Sequence, residues 1–146
     1  MIRPEPSFKR QDQLLDDDCA RAVLASMLEI PIQMVPNFIE MEGLEHFYEG
    51  IDRWLREQNL IRVTFAVVAD SPEKAARMAF CPFGGLRMIM IGTSPRGINH
   101  AVIVRDGVLD HDPNPKGEGL TGPTVEGYYS IWVLSPVRFV VQDGGI

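Results

Sequence analysis

The sequence is short of the features that mark several protein classes. It has 2 cysteines and 3 histidines in 146 residues, with no CxxC pair. That excludes a CxxC-type structural zinc module and a scaffold stapled by several disulfides. Basic residues are outnumbered, 14 Lys and Arg against 20 Asp and Glu, for a net charge of −6, and they form no block. A nucleic-acid binder needs clustered Lys and Arg to meet phosphates, so that class is set aside. No apolar run approaches the roughly 18 residues that cross a membrane. The opening stretch, MIRPEPSFKRQDQLLDDD, lacks the apolar core of a secretory signal. Internal repeats and low-complexity segments are absent as well.

What is present is 45% hydrophobic residues over a length that suits one domain. The expectation is a single acidic, cytoplasmic domain over 1–146, with 1–10 an extended arm and 142–146 a flexible tail. Nucleic acid, membrane, metal and cofactor are not expected as partners.

Apolar spacing predicts a helix from Cys19 to Glu29, with Ala20, Val23, Leu24, Met27 and Leu28 on one stripe. Asp17 or Asp18 is a suitable cap, and Pro31 ends the helix. Residues 31–44 read as a loop with one short helical turn. Glu45 to Asn59 reads as a second helix that buries Phe47, Ile51, Trp54 and Leu55. Ile61 to Ala69 reads as a strand. Ser71-Pro72 opens a short helix, with the serine as cap and the proline at the first position. From there the pattern is β: Arg87 to Gly92, two strands around Asp106-Gly107, then Tyr128 to Leu134 and Val137 to Val141, split by Ser135-Pro136. Helices first and antiparallel strands later give an α+β layout.

Three features carry chemistry. Cys19 lies in the first turn of a helix, where the dipole and free N–H groups favour a thiolate. The Asp16-Asp17-Asp18 run opposes this by like-charge repulsion. Taken alone, Cys19 also reads as a small core residue. His100 opens the strand Ala101 to Val104, a place from which a general base leans over a cleft edge. The third feature is the acidic group Asp110-His111-Asp112-Pro113, which supplies a carboxylate to orient an imidazole.

Hairpin geometry decides whether the last two meet. A two-residue turn at Asp106-Gly107 sets Asp112 opposite Ala101. A three-residue loop, Arg105 to Gly107, sets His100 opposite Asp112 on one face. A slip of one residue swaps every side chain to the other face. The functional reading takes the three-residue loop, or a bulge nearer the strand ends with the same effect.

Gln13 lies six positions before Cys19, His100 follows at a strand start, and Asp112-Pro113 comes on the next strand. In this order the residues resemble the papain-like cysteine peptidases. The Q-x5-C spacing and the Asp-Pro are most similar to the small branch that cleaves double-glycine leader peptides of bacteriocins. The stretch from Gly92 to Leu120 also looks like small papain-like proteins of bacteria and their phages. The likeness covers residues 11–30 and 90–120.

The resemblance implies a papain-like fold, with helices packed on a sheet and the site between them. It implies that Cys19 attacks an acyl carbon and that His100 moves the proton. Asp112 would orient His100, and Gln13 with the Cys19 backbone N–H would form an oxyanion hole, often worth about 3 kcal/mol per donor. The substrate would be a peptide or protein. Two departures stand out. Ala20 follows the cysteine where the leader peptidases commonly have glycine. Asn114 and Asp110 rival Asp112, and Gln11 rivals Gln13.

Two other readings stay open: a papain-like binding module without turnover, and a metal-dependent enzyme built on His100, His111, Asp110 and Asp112. Cys81, Trp54 and Trp132 read as structural, and His46 as solvated. Acid residues on both sides of the proposed site suit a neutral or basic substrate segment better than an acidic one.

Overall fold

A computed structural model describes residues 19–80 and 84–137, apart from the side chain of Leu44. Among them are four α-helices, α1 (Cys19–Leu28), α2 (Phe38–Glu42), α3 (Phe47–Glu57) and α4 (Pro72–Phe80). Five strands, β1 (Leu60–Val67), β2 (Arg87–Thr93), β3 (Asn99–Arg105), β4 (Val108–His111) and β5 (Tyr129–Pro136), form one sheet in the order β1-β5-β2-β3-β4. Every pairing in that sheet is antiparallel, so the chain is α+β. No single helix among the described residues is long and apolar enough to cross a membrane.

The helices do not all lie where the chain order suggests. One core joins α1, α2 and α3 to Ile89, Ile91, Ala101, Ile103 and Trp132. The second joins Ala75, Ala76 and Ala79 of α4 to Met88, Met90, Val102, Val104, Ile131 and Val133. The residue parity along β2, β3 and β5 therefore separates two buried faces. This is why these strands read as unbroken apolar runs: a strand covered on both faces has no solvent side.

α1 is also buried more widely than its stripe implies, because Ala22 to Ser26 are all closed to solvent. Ser26 meets this by donating its hydroxyl to Ala22 O at 3.0 Å. The segment after α1 holds more helix than one turn, with 3-10 turns at Ile32–Met34 and Leu44–His46 flanking α2. Asn37 caps α2 by accepting Glu40 N–H at 3.2 Å. The Ser71 cap forms as its sequence predicts, accepting Lys74 N–H at 3.1 Å. Strand β5 runs through Ser135 to Pro136 rather than breaking there. Ser135 and Pro136 sit opposite Ile61 and Leu60 of the edge strand β1, and a proline is tolerated at a strand end. The strand expected over Val137 to Val141 falls mostly outside the described residues.

The β3–β4 hairpin turns on two residues, with Arg105 opposite Val108 and Val104 opposite Leu109. Asp106 and Gly107 both take positive φ, 52° and 80°, the backbone of a primed turn that Asp-Gly suits. The three-residue loop is therefore not formed. Instead the register shifts after Val104, so that Ile103 faces His111 and Asp110 is the extra residue. That bulge has the effect that the longer loop would have had, returning His100 and Asp112 to one side of the hairpin.

Candidate active site

His100 is the second residue of β3 and is 1% exposed at its side chain; Asp112, just past β4, is 6% exposed. The ring donates Nε2–H to Asp112 Oδ1 at 2.7 Å. The carboxylate is gripped from two more directions. Asn114 N–H reaches Oδ1 at 2.9 Å and Gly119 N–H reaches Oδ2 at 2.7 Å. These bonds overcome burial, which alone would raise it, and hold the Asp112 carboxyl below its usual range.

The Asp112 rivals have other duties. The Asn114 side chain accepts Lys116 N–H at 3.0 Å and closes a local turn. Asp110 accepts from Arg87 Nε at 3.1 Å. Among the described residues, no group of three His, Cys, Asp or Glu side chains is placed to hold a metal ion.

Cys19 is a free, half-buried thiol at the N-terminal end of the described part of α1. It lines the same cavity as His100. Asp112 takes Nε2 of the ring, so Nδ1 is left for the thiol. That nitrogen is buried and closes no hydrogen bond of full geometry. Cys19 also helps to hold a proton on the ring. Burial would lower the pKa of His100. The bonds to Asp112 and Cys19 outweigh it and push the ring up to about 9. An imidazolium at neutral pH follows.

The loop that supplies Gly119 is long, and it is fastened to the end of β2. Thr93 N–H donates to Gly122 O at 2.8 Å, Thr121 N–H donates to Thr93 O at 2.8 Å, and the Thr93 hydroxyl donates to Pro123 O at 2.7 Å. Gly92, opposite His100 in the sheet, leaves room for this: a Cβ there would come within 2.6 Å of Gly122 O. A sequence motif marks neither Gly119 nor Gly92, since each acts through its backbone.

The cavity at Cys19 measures about 280 Å3 and has Ile39, Phe47, Tyr48, Ile91, Ile98 and Trp132 among its walls. Trp132, read from sequence as core, is 1% exposed and also forms part of this wall. Tyr48 stacks edge-on against Trp132 at 5.9 Å. The Arg62 guanidinium lies 4.5 Å over the Trp132 ring and binds Asp52 through two bonds of 2.8 and 3.1 Å. Burial raises the pKa of Tyr48; Arg62 opposes this, while Glu126, Cys19 and Tyr128 add to it.

A second cavity of about 350 Å3 shares the Tyr48 and Trp132 wall and is lined further by Arg62, Thr64, Glu126 and Tyr128. A third cavity, about 380 Å3 and larger than either, lies between α4 and the β3–β4 hairpin among the described residues and is lined by neither Cys19 nor His100. Size alone therefore does not select the site; the position of the thiol and imidazole does.

Gln13, its rival Gln11, the Asp16-Asp17-Asp18 run and Cys81 lie outside the described residues. His46 is exposed and pairs with Glu49 at 3.2 Å. Three of the four expected site residues, Cys19, His100 and Asp112, come together at one end of the sheet. No family model, curated protein or solved structure matches the chain.

Proposed function

We propose that the protein is a cysteine hydrolase of papain-like design, acting on a peptide or protein amide bond. One observation carries the reading: a buried histidine, fixed at Nε2 by a buried carboxylate and with Nδ1 in no other hydrogen bond, shares a cavity with a free thiol. This is the order of nucleophile, base and orienting group that acyl transfer needs.

The Cys19 sulfur attacks the amide carbon as thiolate, paired with the His100 imidazolium. The tetrahedral oxyanion is met by the Cys19 backbone N–H, with Gln13 as the expected second donor. The carbon–nitrogen bond then breaks, and His100 passes its proton to the leaving amine. Water, deprotonated by His100, cleaves the thioester; the thiol and a carboxylic acid result. Asp112 holds the ring orientation throughout, and its own bonds to Asn114 and Gly119 keep it ionised.

Alkylation by iodoacetamide, read by peptide mass spectrometry, tests the reading. Cys19 is expected to react much faster than Cys81, and His100→Ala is expected to slow Cys19 alone. Equal, slow labelling of both thiols, indifferent to His100, would overturn it.

A further inference from the structure

We infer that this cleft takes a peptide whose bulky apolar side chain fills the cavity beside Cys19 and whose neighbouring residue carries a basic group toward Glu126. The inference rests on the proposed thiol chemistry and specifies its substrate. At about 280 Å3 the cavity lies at the small end of ligand pockets and has room for a bulky side chain. Its walls are aliphatic and aromatic apart from Asn99 and the Cys19–His100 pair itself. Glycine would leave this surface unfilled. A leucine or phenylalanine removes enough apolar area from water to favour binding by about tenfold or more.

The adjoining cavity sets the charge. Its one cation among the described residues, Arg62, is already held by Asp52 through two bonds and stacked on Trp132. Its anion, Glu126, has no ion-pair partner among the described residues and is fully exposed. The unmatched charge in this annex is therefore negative. A Lys or Arg side chain, or a free amino group, fits it, and a carboxylate does not. Because Glu126 is open to water, the preference is a few-fold at low salt and fades at high salt. The shared Tyr48–Trp132 wall makes the two cavities neighbours, so one short peptide segment reaches both.

The test uses dipeptidyl chloromethyl ketones on the full-length protein, with each of the two residues varied in turn. Lys-Leu, Lys-Gly and Glu-Leu forms are compared by the second-order rate of Cys19 alkylation, each relative to iodoacetamide. The expected order is Lys-Leu over Lys-Gly by about tenfold, and Lys-Leu over Glu-Leu by about threefold at low salt. Ile98→Asp, on a half-exposed wall residue, should shrink the first ratio, and Glu126→Gln the second. Equal rates for Leu and Gly probes on a Cys19 that iodoacetamide labels rapidly would overturn the inference and leave the nucleophile standing. Slow labelling of Cys19 by every reagent, unaffected by His100→Ala, would overturn the catalytic reading and this inference with it.

Discussion

His100 donates Nε2–H to Asp112 Oδ1 across 2.7 Å, and the two residues are twelve apart in a hairpin whose turn alone would not pair them. The bulge at Asp110 makes the contact. The ring nitrogen left open is thereby chosen by strand register rather than by any residue next to Cys19.

Asp112 is expected to be the orienting residue, and Asn114 is not. Asp112→Ala should lower turnover by about 10^2-fold, since it removes the acceptor that fixes the ring and stabilises the imidazolium. Asn114→Ala should cost about 1 kcal/mol of stability through the lost turn bond and keep most of the activity. Paired kinetic and urea-unfolding measurements separate the two.

Stability should fall as pH rises from neutral. An unfolded histidine titrates near 6.5, whereas folded His100 titrates at about 9. The folded state binds this proton more tightly, so the gain is complete below the unfolded value and lost as pH rises through about 9. It amounts to roughly 3 kcal/mol at most. Asp112 works in the opposite direction: its lowered pKa gives stability that is present above the unfolded value, near 4, and lost on acidification. Both shifts describe one shared bond and do not add. Urea unfolding between pH 6 and 10 should show the decline in the native protein and a flatter profile in His100→Gln.

Turnover should fall over the same upper window. The leaving amine takes its proton from the His100 imidazolium, which is lost above about pH 9. A pH–rate profile of kcat/KM on an amide substrate checks this. A rate still climbing at pH 10 would contradict the assigned role.

Asp110 should matter for stability and little for the thiol. It shares a half-buried ion pair with Arg87, at 3.1 Å. Asp110→Ala should destabilise by on the order of 1–3 kcal/mol by weakening the support of that guanidinium. The rate of Cys19 alkylation should stay within about twofold of native under folding conditions, because the orienting bond to His100 comes from Asp112.

Gly92→Ala should couple fold and site. The added methyl would strike Gly122 O, where the loop carrying Gly119 is fastened. A loss of about 1–3 kcal/mol is expected, together with slower thiol alkylation as Asp112 loses its grip. Thermal melts and labelling kinetics on the same variant measure both.

The sequence by itself determined most of the elements and the cast of reactive residues. The helix at Cys19 and the Ser71-Pro72 helix entry follow from local rules, a hydrophobic period and a cap; the Asp106-Gly107 pair located the hairpin but not the length of its loop. His100 at a strand start and Asp112 beyond the hairpin were legible for the same reason. Tertiary structure decided what local rules leave free. An apolar run is equally compatible with one covered face or two, so only the packing of α4 showed that the sheet is buried on both sides. A bulge costs one residue of register and leaves no mark in composition, so only the pairing showed how Asp112 reaches His100. The support from Gly119 and the clearance at Gly92 are backbone effects, and backbone N–H and C=O groups are the same in every sequence until a fold brings two of them together.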